Sequence, residues 1–530
     1  MNNKLDMIIV FIYFAIVLFF GGKISRKHKK DSAEEYLTGG KQMNWFRTSM
    51  TLIATSINVG IIGFVGIGFV WGMAIQPNAV NLWFAAPFTA LFFLPIYWRT
   101  KIVTTPQLLE KRFNVSSRTL FSLLMTFLNV VNLGTSLYLG GYMFEYFFGW
   151  NLYLSCLVIV LIVAFLNLTG GMKAILAIDF YQGIFISVTF LIIGAITLYR
   201  IGGITDFLHI KILSEAQTPL PSLLLPFDLS PSSLKWYAMP IGLIWAILAG
   251  TSWMACNFNM VQRLLAARNE KQAQKAVIFT AFGNVLACFI AYFIGISVRA
   301  LYPELVHPDQ AYLVAIMNFL PVGFRGLIIV GMTAALVSSI NGMTTSTTSL
   351  FVEDIYLRFI KPTSNSKSTK QAARFAQVTV LILSVLLIPL AAKEKTITRL
   401  IQDLVSMPLG IMISLFGLGV FSTKITPKAA LLGAVIGILV SLVLFFFYPT
   451  INFWNRGVIG SATVIIVAIL LSFFEKKQTI DQLENLTIFT VKGANTPFIG
   501  TLAWKNILWW IGGIQILWVV FTIAWEMLIL

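Results

Sequence analysis

From residue 48 to residue 98 the chain runs without one Asp, Glu, Lys or Arg. A helix needs ~20 apolar residues to cross the hydrocarbon core, so this block has room for two crossings. Only 11% of all residues are charged and 58% are hydrophobic, where a soluble domain has about a quarter charged. A soluble globule is excluded, and the expected class is an all-α membrane protein.

Fourteen candidate spans follow, at 6–22, 46–72, 80–98, 119–148, 152–168, 174–198, 238–260, 276–298, 326–352, 375–391, 400–422, 428–448, 458–474 and 506–528. With loops alternating sides and the N-terminus outside, the inner loops at 23–47, 99–118, 173, 263–275, 358–374, 424–428 and 476–505 hold 28 of the 38 Lys and Arg. This is the positive-inside asymmetry. It assigns the net charge of +17 to cytoplasm and anionic lipid rather than to nucleic acid, and the run Lys23–Lys30 to a juxtamembrane anchor. Both termini are expected outside a plasma membrane. The first apolar stretch has its positive charges after it and no small-x-small cleavage site, so it reads as a retained span. Cys156, Cys256 and Cys288 fall inside spans and His28, His209 and His307 in loops, which suits neither a disulfide framework nor a metal or haem cofactor.

Three spans carry polar residues at membrane depth. In 46–72, Thr55-Ser-Ile-Asn-Val-Gly60 is followed by Gly63, Gly66 and Gly68. Such glycines serve close helix packing, but Ser56, Asn58 and Gly60 together favour a helix unwound at mid-membrane with its carbonyls on a cavity. Span 238–260 contains Gly250-Thr-Ser-Trp-Met-Ala-Cys-Asn-Phe-Asn259, five helices further on. That is the spacing expected when two five-helix units repeat in opposite orientation. In 326–352, Ala335, Ser338 and Ser339 share one helix face, and hydroxyl residues crowd 338–349. Two hydroxyls and a carbonyl suit a small hard cation. The bland alternative is hydrogen bonding back to the helix's own carbonyls. Asp179 lies about two turns into its span. An ionisable group there is costly without a partner, which makes it equally a functional residue or a structural bond to a neighbouring helix.

Taken in order, Glu35-Tyr-Leu-Thr-Gly-Gly40, Thr104–Phe113, Gly170-Gly171 through Asp179 to Gln182, Val261–Asn269, Arg325-Gly326, Ser338-Ser339 and Asp354-Ile-Tyr356 resemble the solute:sodium symporter family, and most its sodium/sugar branch. The resemblance covers about Glu35 to Pro427. It implies a LeuT-type inverted repeat of five plus five helices. Residues 1–45 would then be an extra helix and basic loop, 46–199 the first repeat, 200–237 an outer loop, 238–422 the second repeat and 423–530 three extra helices. It also implies a sodium site formed by carbonyls of Ser56, Val59 and Ala335 and hydroxyls of Ser338 and Ser339. Some members hold a second ion near the residue matching Asp179, with hydroxyls one turn past the serine pair, where this chain has Asn341 and Gly342.

For the solute, Asn58 and Gln402 match sugar-contacting positions. The family's acidic residue on its second core helix falls near Ala79, between Asn78 and Asn81, and its lysine on the seventh matches Asn284. Trp253 falls where the sugar branch has a gating aromatic. The implied function is sodium-coupled symport of a small polar solute, a sugar or polyol, by alternating access. A sugar acid or another small organic solute is the alternative, and a non-transporting sensor a further one. Sodium, solute and lipid are the expected partners. A channel filter, a constellation of catalytic groups and a cytoplasmic signalling domain all lack a sequence signal, so no enzymatic activity is expected.

Overall fold

The computed structural model describes residues 5–13, 15, 40–57, 60–75, 77–214, 218–223, 241–392, 397–451, 453–491 and 504–529. Among these, the β pairing is two isolated bridges, Met43 with Ala267 and Leu213 with Pro219. Everything else of regular form is helical.

Helix α1 (Trp45–Ser56) starts at Asn44, whose Oδ1 accepts from the Arg47 backbone N–H, a side-chain N-cap. It stops at Ile57, which leaves helical geometry with φ −84° and ψ 74°. Helix α2 (Gly60–Trp71) resumes at 63° to it. The expected break in this span is present, and so is the packing expected of its glycines. A Cβ on Gly68 would lie 2.5 Å from the Tyr292 Cα, so the two backbones touch. Helix α3 (Pro77–Phe88) continues through a π segment and Leu94–Thr100. Helix α4 (Thr105–Arg112) carries a capping box between Thr104 and Gln107 with Pro106 in its first turn, both strong start signals. Helix α5 spans Val115–Phe148.

Helix α6 runs from Leu152 to Arg200 without interruption. The sequence suggested two spans divided at residue 173. The helical backbone passes through that point because no proline lies between 152 and 200 to remove an i→i−4 bond.

The second irregular span breaks as expected. Helix α7 (Ile241–Thr251) leads into a π segment, Ser252–Cys256, and Asn257 turns extended. The Asn257 side chain accepts from the Asn259 N–H and caps helix α8 (Phe258–Leu265). Residue 263 therefore sits inside a half-helix, not in a solvated loop. Helices α9 (Glu270–Leu301), α10 (Phe324–Leu350, extended as a π-helix to Ile360), α11 (Ser366–Leu386), α12 (Ile397–Phe421), α13 (Pro427–Phe447), α14 (Phe453–Ser472) and α15 (Trp504–Ile529) complete the order.

Among the described residues nine helices are long and apolar enough to cross a membrane, or ten with the bent α1–α2 pair counted as one. In the most apolar stretch of α10, 94% of residues are buried, against 28% in α13. Thus α10 is the axis of the bundle, packed on α6 and α5, while α13 shows an apolar face outward. Exposed Leu439, Phe446 and Phe447 on that face match a hydrocarbon surround.

Candidate functional site

Helix α1 ends at mid-bundle, where the last carbonyls of a helix lack intrahelical partners and carry the negative end of its dipole. Against this end lies the middle of α10. Ser339 Oγ donates to the Thr55 carbonyl at 3.2 Å, and Ser338 Oγ donates to Asp179 Oδ1 at 2.7 Å. A hydroxyl has one proton and two lone pairs. With both protons directed to other elements, each serine oxygen keeps lone pairs for a cation. Ser338 and Ser339 are fully buried and Ala335 is 4% exposed. The back-bonding alternative holds further along α10, where Thr345, Ser346, Thr347, Thr348 and Ser349 each donate to a carbonyl of their own helix. The hydroxyl crowd therefore divides into a cross-helix pair and a self-bonded tail.

Asp179 is fully buried and ion-paired. Arg263 Nη2 lies 2.8 Å from its Oδ2, and both side chains are 0% exposed. Arg263 Nη1 also donates to Oδ1 and the carbonyl of Asn259, at 2.6 and 2.9 Å. Sequence reasoning placed Arg263 among the basic loop residues. The structure corrects this, because the half-helix α8 carries the residue inward. Asn341 is 1% exposed and its Oδ1 has no hydrogen-bond partner among the described residues.

Beside the α1–α2 break lies a cavity of ≈ 230 Å³, far more than the ~10–15 Å³ that one water needs. Ser56, Asn81, Trp253 and Asn284, all singled out in the sequence, line it. So do Asn132, Thr135, Ser136 and Trp245, which the sequence reading missed. The signal was available: residues 132, 135 and 136 share one face of an otherwise apolar helix. Among the described residues lining the cavity none is charged. Asn132 and Asn284 each spend one amide N–H on a carbonyl of their own helix, at 2.8 and 3.0 Å, which fixes the side chain and leaves further donor and acceptor capacity. Asn58 and Val59 lie outside the described residues. Asn78 and Gln402 are placed only as positions, on α3 and α12.

The model of the sodium:solute symporter family matches residues 36–437. This chain belongs to that family. The symporter is 30% identical over 481 residues to the sodium/glucose cotransporter of Vibrio parahaemolyticus, covering 85% of this chain and 87% of that protein. It is 25% identical to the mouse sodium/myo-inositol cotransporter 2, covering 92% of this chain and 79% of that one. Its fold is shared with a solved Na⁺-coupled sialic acid symporter in a substrate-bound outward-open state, at TM-score 0.79 and 23% identity over 90% of this chain and 99% of that one. A solved Mhp1 structure, from a nucleobase-cation-symport-1 transporter, aligns at TM-score 0.56 and 15% identity over 84% of this chain and 97% of that one. The symporter is a multi-pass membrane protein of LeuT-like fold that couples a small solute to sodium.

Proposed function

We propose that this symporter carries a neutral, hydroxyl-rich solute, a sugar or polyol, together with sodium into the cell by alternating access. The observation that carries this reading is the cavity itself. Amides, hydroxyls and two indoles line it beside the cation-ready end of α1, and no charged side chain among the described lining residues stands ready for an acid. Amides both donate to and accept from hydroxyls, and indole faces pack against apolar ring faces. The similarity to glucose and myo-inositol cotransporters supports the same solute class.

In this reading sodium binds Ser338 Oγ, Ser339 Oγ and the carbonyls of Ala335, Ser56 and Val59. Asn58 and Gln402 join Asn81 and Asn284 at the solute, with Asn78 nearby and Trp253 as gate. The bundle is a five-plus-five inverted repeat within fourteen spans in the plasma membrane, with both termini outside. Ion binding at the end of α1 favours the outward-open form and completes the solute cavity; the bundle then rocks and releases both inward. One charge falling through 100 mV supplies ~2.3 kcal/mol and a tenfold sodium gradient ~1.4 kcal/mol. At 1:1 coupling these sustain a solute gradient of roughly 500-fold.

The test is uptake of labelled D-glucose and myo-inositol into proteoliposomes under an imposed sodium gradient, with unlabelled sugars, polyols and sialic acid as competitors. Sodium-driven uptake inhibited by the neutral compounds is expected. Inhibition by sialic acid alone overturns the solute class.

A further inference from the structure

Buried Asp179 meets the candidate sodium site through one bond and a fixed cation through another. Its Oδ1 accepts from Ser338 at 2.7 Å, and its Oδ2 lies 2.8 Å from Arg263 Nη2. Three elements are joined in this way: α6 through Asp179, α8 through Arg263 and α10 through Ser338. The guanidinium is tethered on its far side by Asn259, which accepts from Nη1 through both its side chain and its carbonyl.

The place it fills is specific. A Cβ on Gly342 would lie 2.4 Å from Arg263 Nη2, 3.0 Å from Nη1 and 2.7 Å from Asn259 Oδ1. Gly342 stands one turn past Ser338, at the position from which a side-chain hydroxyl would reach an ion held by Asp179. Glycine there admits the guanidinium; any side chain would collide with it.

We propose that Arg263 is a built-in countercation for Asp179, which closes the carboxylate to a second ion and fixes the Ser338 hydroxyl with its lone pairs toward the first, so that each cycle couples a single sodium. The proposal rests on the sodium site of the preceding reading. The reason is electrostatic. In a water-excluded interior the Asp179–Arg263 pair is neutral, and a sodium ion added to it would meet a cation only a few ångströms away with little screening. The carboxylate thus acts as a positioning group for Ser338, and Arg263 as the positioning residue for that carboxylate.

Equilibrium dialysis of the purified full-length protein with ²²Na⁺ tests this without an identified solute. One bound ion per wild-type chain, lost in Ser339→Ala, is expected. Two bound ions overturn the proposal and leave the symport reading standing; no bound ion overturns the sodium site on which it rests. Arg263→Gln exposes the carboxylate, and its stoichiometry is expected to rise to two ions with a Hill coefficient moving from 1 toward 2. An unchanged count of one in that variant overturns the role of Arg263. Should Arg263→Gln not fold, the wild-type count still decides, and Asp179→Asn/Arg263→Met, which removes both charges, is expected to bind one ion.

Discussion

The Ser339 hydroxyl donates to the Thr55 carbonyl across 3.2 Å, and this one bond joins the axis of the bundle to the end of its broken first half-helix. It places a hydroxyl oxygen at the negative end of α1. Ser339→Ala removes that oxygen. The sodium concentration for half-maximal uptake is expected to rise severalfold or more, with little change in folding, because one hydroxyl bond of this kind contributes about 1 kcal/mol. Uptake measured against sodium concentration checks it; a wild-type sodium dependence in the variant would place the ion elsewhere.

Asp179→Asn keeps an oxygen for Ser338 but leaves the Arg263 guanidinium without its countercharge. Breaking a buried pair from one side costs roughly 3–5 kcal/mol. Lower thermal stability is expected together with a transport rate reduced more than solute affinity, since three elements lose a common bond. Melting curves and uptake kinetics of the same preparation measure both. Normal transport with only a stability loss would make the pair purely structural.

Asn284 projects from α9 into an uncharged cavity and donates to the Thr280 carbonyl at 3.0 Å. Asn284→Ala is expected to weaken binding of the neutral solute by about 1–3 kcal/mol, the cost of unpairing a buried polar group. Sodium affinity in the absence of solute should stay as in wild type. Isothermal titration with the transported sugar or polyol reads the loss, and an unchanged affinity would remove Asn284 from the solute site.

Cys288 lines the cavity and is partly accessible, while Cys156 and Cys256 are buried. A small methanethiosulfonate reagent should therefore inactivate transport through Cys288, with saturating solute slowing the reaction severalfold. Cys288→Ser should resist the reagent. Inactivation of that variant at the wild-type rate would place the sensitive thiol outside the cavity.

Where the basic-loop end of the bundle closes, Asp354 accepts from Thr104 Oγ1 and Arg118 Nε at 2.8 Å and from Ser122 Oγ at 3.2 Å. Asp354→Ala leaves Arg118 with Glu110 alone among its carboxylate partners in the described residues. A stability loss of roughly 3–5 kcal/mol is expected, read by thermal unfolding in detergent. A loss below about 0.5 kcal/mol, the usual size for an ordinary surface change, would mean that the network does not hold this end together.

Much of this molecule was legible in its sequence because hydrocarbon imposes a local rule. An uncharged run of ~20 residues must become a helix whose backbone bonds close on themselves, so the apolar spans and the positive-inside asymmetry followed from the order of residues alone. The breaks at 57–59 and at Asn257 were legible for the same reason: Ser, Asn and Gly at membrane depth have no use on a lipid-facing helix. The shared face of Ala335, Ser338 and Ser339 came from helix periodicity. What the sequence left open was every relation that depends on where two distant helices cross. Arg263 lies beyond the expected end of its span and counted as a loop charge; only the capped half-helix α8 brings it within 2.8 Å of Asp179, 84 residues away. Asn132 and Ser136 were polar residues on an apolar helix until the packing of the bundle put them on the same cavity as Asn284 and Trp253. Helical periodicity assigns a side chain to a face, but the neighbour on that face is chosen by the contact of whole helices, and that choice is made only in three dimensions.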